Sequence, residues 1–280
     1  MALYQLDRPL DLANPALVVA FDSWVDAGAA ATTAARRLAE GGEIIATFEA
    51  DLLYDYRSRR PTLDIVDGHP TSLSWPELVV RRRRFDGRDL LVLSGPEPDY
   101  RWQALADDAA RLATDLGVAE WISLGSIPAA VPHTRPVNIL GTESRPGLLR
   151  GDVTPGPAGI LRVPSAAVSV LDLAVSRAGT PAVGYYAQIP HYVTGHYPAA
   201  TLELVSLVGR HLGADIPVHA LRDEARLMRE RLDAAATADD STREYVARLE
   251  EMVDEARGPS GEDLISEIER FLREQGESGS

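Results

Sequence analysis

The chain contains no cysteine and no lysine. The first absence excludes disulfides, thiolate metal sites and cysteine nucleophiles. The second excludes Schiff-base chemistry, pyridoxal phosphate attachment and a P-loop lysine, each of which needs a primary amine on a side chain. All 28 basic residues are therefore arginine. No apolar run approaches the ~20 residues that cross a bilayer as a helix, so no membrane association is expected. The segment MALYQLDRPLD is acidic and lacks a basic stretch ahead of an apolar one. It does not read as a signal peptide, and a cytoplasmic protein is expected.

What is present is acid. Against those 28 arginines stand 42 Asp and Glu, for a net charge of −14. Such a surface repels phosphate backbones and anionic lipid, so no nucleic-acid partner is expected. The one basic run, Arg81 to Arg84, falls in an extended segment, where its side chains alternate between faces and suit a solvated sheet edge. With 280 residues, 45% of them hydrophobic, the chain can hold one large domain and an appendage.

The order of segments predicts an α/β protein with a mostly parallel central sheet flanked by helices. Residues 17–21 (LVVAF) read as a buried strand, followed by an alanine-rich helix that Asp26 can cap and Gly41-Gly42 ends. Residues 43–48 supply a second strand and complete a βαβ unit. Residues 63–66 and 77–84 read as hairpin strands between prolines and the turn pairs Asp67-Gly68 and Asp86-Gly87. Alternation resumes with a strand at 90–93, a helix capped by Asp99 and a strand at 121–124. A proline- and glycine-rich segment follows, 127–162, of a length usually tied to function or linkage. A helix capped by Ser165, a strand at 182–187 and a helix from Pro198 complete a domain over 1–215. Charge-rich amphipathic helices at 221–232, 245–253 and 263–272 form a C-terminal helical appendage over 216–275, with a disordered tail at 276–280. Ser241 and Glu244 have the spacing of a capping box.

If the main strands are parallel with right-handed crossovers, their C-terminal ends share one sheet edge. Ligands in open α/β sheets favour that edge. Asp22, Ser23, Trp24, Asp26, Asp51, Glu97, Arg101, Ser126, His133, Arg135 and His191 all follow strand ends and form the candidate cleft. In a functional reading Asp22 or Asp26 acts as acid, base or hydroxyl ligand. Arg101 and Arg135 then hold an anion, and His133 or His191 moves a proton. In the structural reading the acids cap helices and the histidines pair with them. No G-x-S-x-G surrounds Ser23 or Ser126, no glycine-rich phosphate loop follows a strand, and His191 and His196 lack a carboxylate at metal-ligand spacing. No metal and no cofactor is expected. Tyr54, Tyr56, Trp75, Tyr185, Tyr186, Tyr192 and Tyr197 can line a pocket or an interface.

Five stretches carry a resemblance: VVAFDSWVDAGAAA (18–31), FEADLLYDYRSRRPTL (48–63), LSGPEPDYRW (93–102), LGSIPAAVPHTRPV (124–137) and IPHYVTGHYPAAT (189–201). In these the sequence resembles the PAC2 (proteasome assembly chaperone 2) family, in particular its actinobacterial members. The resemblance implies an α/β fold similar to the nucleoside phosphorylase/hydrolase architecture. It also implies a chaperone-like, oligomeric, protein-binding role, since eukaryotic and archaeal relatives contact proteasome subunits. Such relatives often dock through a C-terminal hydrophobic-Tyr-X tail, whereas this chain ends Gln-Gly-Glu-Ser-Gly-Ser. An ATP-grasp-like ligase activity, sometimes suggested for the family, relies on lysines over the phosphates and is not expected of a lysine-free chain.

Two readings of function follow. One is a non-enzymatic, oligomeric interaction protein similar to proteasome assembly chaperones, with a protein partner and a closed homo-oligomer, a trimer by preference. The other is a nucleoside- or anionic-metabolite-binding protein, or a hydrolase/phosphorylase-like enzyme, that uses the sheet edge.

Overall fold

The computed structural model describes residues 2–6, 10–22, 24–156 and 159–257. The first half of the chain forms β1 (Tyr4–Leu6), β2 (Ala16–Phe21), α1 (Ala30–Ala39), β3 (Glu43–Phe48), the one-turn α2 (Ala50–Leu53), β4 (Thr62–Val66), β5 (His69–Ser74), β6 (Val79–Phe85), β7 (Arg88–Gly95) and α3 (Trp102–Asp115). There follow β8 (Glu120–Ala129), β9 (Ile139–Glu143), β10 (Thr154–Pro155), α4 (Ala167–Arg177), β11 (Ala182–Pro190), α5 (Pro198–Leu212), α6 (His219–Ala238) and α7 (Asp240–Arg257). Two compact units result. The first comprises Met1–Ala129 and Val137–Met228; the second takes Ala130–Pro136 and the chain from Arg229 onward.

The first unit is built on a sheet of order β1-β3-β6-β7-β2-β8-β11-β9-β10 among the described residues. Its centre, β7-β2-β8-β11, is parallel, with Ala16 of β2 level with Leu90 on one side and Glu120 on the other. The flanks run antiparallel: β6 to β7, β3 to β6, β1 to β3, and β9 to β11. Parallel strands are covered on both faces, which is why β2 reads as an unbroken apolar run and is buried at every position. Leu17, Val19 and Phe21 pack with Leu105, Leu112 and Leu171 of α3 and α4 in one core cluster. The alternate residues of the strand meet α1, which packs beside α5. The expected α/β class, with a parallel centre and helices at the C-terminal end, is the observed one.

Several local expectations change. The run Arg81 to Arg84 lies in β6, which is an interior strand between β3 and β7 and not an edge. Arg82 is held there by Asp89 at 2.8 Å, a carboxylate buried beneath it. Residues 63–66 pair with β5, not with 77–84, and form a separate two-stranded sheet. Asp99 does not cap α3, because its carboxylate accepts from the Asp55 backbone N–H at 2.9 Å. Ser165 does not cap α4; its hydroxyl turns to the Ala166 carbonyl. Asp239 replaces the Ser241–Glu244 box at the start of α7. It accepts from the Thr242 N–H and from the Ser241 and Thr242 hydroxyls, and these bonds hold its pKa down to about 2. α6 extends through the alanines expected to separate two helices, so Asp239 alone interrupts them. The helix expected at 263–272 and the tail at 276–280 lie outside the described residues.

A carboxylate of α4 packs against the parallel centre. Asp172 of α4 accepts from the Trp121 indole N–H at 2.8 Å and from the Ser123 hydroxyl, both on β8. Burial raises its pKa to about 7, and the two donors only partly oppose that shift. In the unfolded chain the same carboxyl ionises near pH ~4. The folded state therefore holds an extra proton between those values, and its stability falls as pH rises from 4 to 7. Asp172→Asn is expected to raise stability by about 1–2 kcal/mol at pH 8 and to leave it nearly unchanged at pH 5. Urea unfolding at the two pH values measures the difference, and equal effects at both would exclude this origin.

Candidate functional site

The C-terminal ends of β2, β7, β8 and β11 do meet along one edge, and loops from all four are bonded to each other there. The Asp22 carboxylate, one residue past β2, accepts from the Glu97 N–H at 3.0 Å. It also pairs with Arg59, whose Nη1 lies 3.0 Å from Oδ1. Arg59 reaches on toward Asp99, with Nε 3.8 Å from Oδ2. That Nε is buried and makes no hydrogen bond. The Tyr54 hydroxyl donates to the Pro96 carbonyl at 2.9 Å, and burial pushes its pKa well above the usual phenol range. Backbone bonds from Asp99 and Tyr100 to the Leu53 carbonyl complete the lacing of the two loops.

The other acids of the edge serve helices. Asp26 accepts from the Ala31 N–H at 2.8 Å, the Thr32 N–H at 3.2 Å and the Thr32 hydroxyl. It therefore caps α1, as its position before the alanines suggests. Burial still raises its pKa, against those three bonds. Glu97 caps α4 from a distance, accepting from the Ala167 N–H at 2.7 Å and from the Trp24 backbone, and burial raises its pKa as well. Ser126 is buried and donates to the Ala27 carbonyl at 2.7 Å, tying the turn after β2 to the end of β8. Gly28 completes that turn with φ +62°. A Cβ there would lie 3.0 Å from the Cβ of Tyr197, so the turn can approach the start of α5 only as glycine.

The remaining sequence candidates are distributed as follows. Trp24 is 61% exposed. Asp51 accepts from the Tyr56 hydroxyl, whose pKa is pushed up to about 12 by that bond. Arg101 is exposed in a left-handed conformation (φ +59°) that starts α3. His191 is exposed, with Nδ1 3.0 Å from the Ala129 carbonyl. Ser23 lies outside the described residues. His133 and Arg135 belong to the second unit. There His133 Nε2 lies 3.1 Å from Asp233, and Arg135 binds Asp254 through Nε at 2.9 Å and Nη2 at 2.6 Å, with Glu250 at 3.3 Å. Their partners are acids of α6 and α7, not the strand-end acids of the structural reading. Among the described residues no three His, Asp or Glu side chains are grouped to hold a metal ion. None of the described helices is long and apolar enough to cross a membrane.

Arg59 and Thr32 are the members that the sequence reading passed over. Arg59 lies within a stretch that carries the resemblance, and Thr32 directly follows another. Their signal was a cation and a hydroxyl close to acids already selected. Beside the edge runs a groove of about 1100 Å³ between α1 and strands β6 and β7. It opens at Asp22, Gly95 and Pro96 and carries Arg36, Arg37, Arg81 and His196 along its length. Arg37 is taken by Glu224 at 2.8 Å. His196 lies 3.2 Å from the Thr201 hydroxyl, and burial lowers its pKa.

The fold and this bonded edge define an α/β protein whose edge carboxylates build structure first. Residues 20–236 match the model of the PAC2 family. The chain belongs to the PAC2 family. A Streptomyces avermitilis PAC2 family protein is 34% identical, with a TM-score of 0.74 over 83% of this chain and 99% of that one. A Mycobacterium tuberculosis proteasome-assembly chaperone homologue is 31% identical, with a TM-score of 0.75 over 82% and 99%. A Corynebacterium glutamicum protein of unknown function is 30% identical, with a TM-score of 0.84 over 96% and 99%. No curated protein matches the chain.

The Asp22–Arg59 pair is partly exposed, so its coupling is screened. A double-mutant cycle with Asp22→Asn and Arg59→Gln is expected to give about 1 kcal/mol of coupling at low salt and less than half of that at 1 M salt. Glu97→Gln, which keeps an acceptor for α4, is expected to cost less than Glu97→Ala, at about 1 kcal/mol. Thermal unfolding of the five variants provides the check.

Proposed function

We propose that the protein is a non-enzymatic, chaperone-like interaction protein that works as a homo-oligomer in the cytoplasm. The observation that carries this reading is the hairpin of β4 and β5. Every residue of both strands is exposed, among them Leu63, Ile65, Val66 and Leu73, with Ile65 at 60%. Its strands pair only with each other. An isolated two-stranded hairpin is marginal in water, so this one calls for a cover. The occupant we assign is a second copy. The hairpin carries Asp64 and Asp67, and β6 of the next molecule offers the part-exposed Arg81 and Arg83. A contact between two different surfaces closes into a ring, and a trimer is the preferred closure. The bonded edge supports this reading in that two of its carboxylates, Asp26 and Glu97, cap helices. The Mycobacterium tuberculosis relative described as a proteasome-assembly chaperone homologue suggests a proteasome subunit as the protein partner.

Light scattering on the eluting protein is expected to give three chain masses for wild type and one for Leu63→Asp with Ile65→Asp. Arg81→Asp is expected to dissociate the ring and Asp64→Arg in the same chain to restore it in part. A monomeric wild type, or variants that keep its mass while folded, would overturn the assignment.

A second reading has one observation of its own, the groove that opens at Asp22 and holds Arg36 and Arg81. It supports a site for a nucleoside or another anionic metabolite, with Asp22 as hydroxyl ligand and the arginines as anion ligands. Phosphate, ribose phosphate and nucleosides should then raise the melting temperature of wild type and not that of Asp22→Ala or Arg81→Ala. Equal shifts in all three would remove this reading.

A further inference from the structure

A second cavity lies away from the groove, between α4 and strands β9 and β11, with a volume of about 250 Å³. Its wall is half apolar, with Leu173, Ala182 and Val183, and half hydroxylic, with Thr142, Ser169 and Ser176. Asp172 lines it. The carboxyl is asymmetric: Oδ1 takes both hydrogen bonds, from Trp121 and Ser123, and Oδ2 takes none from the described residues. Oδ2 is not sealed either, since Arg59 Nε is the buried unpartnered side-chain atom among the described residues. The free oxygen therefore keeps access to the cavity. A half-buried carboxylate oxygen with no donor is costly, and a ligand that brings a donor and a positive charge removes that cost.

The charged and titratable groups around it narrow the ligand. Among the described residues no arginine or histidine lines the cavity. Glu143 lines it from β9 as a second carboxylate, its Oε2 accepting from the Leu148 and Leu149 N–H groups at 2.7 and 3.0 Å. Tyr186 lines it from β11 and is bonded to Ser169 of α4. Among the described residues no three His, Asp or Glu side chains are grouped to hold a metal ion, and a divalent ion takes six or more oxygen ligands. An aromatic ring, an apolar wall and anionic acceptors suit a small alkylammonium. We propose that this cavity is a binding site for a small primary amine, whose ammonium group donates to Asp172 Oδ2 while its chain lies against Leu173 and Val183. The site is independent of the hairpin and of the sheet edge.

The amine binds the ionised carboxylate, and Asp172 holds its proton up to about pH 7. Affinity should therefore rise about fivefold between pH 6 and pH 7, reach about tenfold by pH 8 and level off above that. The probe is n-butylammonium chloride, titrated calorimetrically into the full chain, with n-butanol and potassium chloride as controls. Expected are saturable binding of the ammonium at pH 8, none of either control, and at least a tenfold loss in Asp172→Asn. Leu173→Trp, at a rim position 58% exposed, is expected to weaken binding without touching the carboxyl. If Asp172→Asn fails to fold, a carboxyl carbon NMR titration of wild type replaces it, and the amine should lower the Asp172 pKa. Absence of ammonium binding at pH 8, equal binding of n-butanol, a pH-independent affinity, or unchanged affinity in Asp172→Asn would each overturn the proposal.

Discussion

Asp22 stands where three segments of chain meet, and the architecture of the edge depends on how its two oxygens are used. One segment is β2 itself, whose backbone leads directly into Asp22. Another is the loop after β7, held through the Glu97 N–H. The third is the loop after α2, held through Arg59. A parallel sheet ends all its strands at one edge, so loops without mutual hydrogen bonds of their own converge there. Backbone groups in such loops must be paired or solvated. Carboxylates answer this requirement well, because each accepts several bonds at once. Asp22, Asp26, Glu97 and Asp99 each receive a backbone N–H from another part of the chain.

The same requirement explains why two of these acids have raised pKa values without a partner nucleophile. Asp26 and Glu97 sit at helix starts, where N–H groups stabilise the ionised form, yet burial outweighs them. A raised carboxyl pKa near a sheet edge is therefore compatible with a purely structural duty. The interior differs. Asp172 has only side-chain donors on one oxygen, so its shift is larger. It lines a cavity of its own, which sets it apart from the edge.

Much of the parallel centre was legible in the sequence. The runs LVVAF and LLVL, bounded by polar turns, could only be strands covered on both faces. Convergence of their ends followed from topology alone, and the capping role of Asp26 followed from its place before alanines. Partner choice was less legible. Asp99 and Ser165 have the right residue type and spacing for helix caps, but Asp55 and the Ala166 carbonyl took them first. His133 and Arg135 look like anion ligands in isolation, and acids about a hundred residues later in the chain answer them. Arg59 could not be ranked above Arg57 or Arg60 without knowing which loop it faced. Pairings between distant segments leave no trace in local spacing.

β4 was also readable as a strand, though its partner β5 and the isolation of their hairpin from the main sheet were not. The hairpin's exposure is the central physical puzzle of the molecule, and the cover we propose for it is a neighbouring copy. Backbone hydrogen exchange over residues 62–74 at two protein concentrations addresses this directly. Strong protection at high concentration that fades on dilution, while β2 and β8 stay protected at both, is the predicted result. Exchange at the rate of an unprotected chain at every concentration would contradict the account.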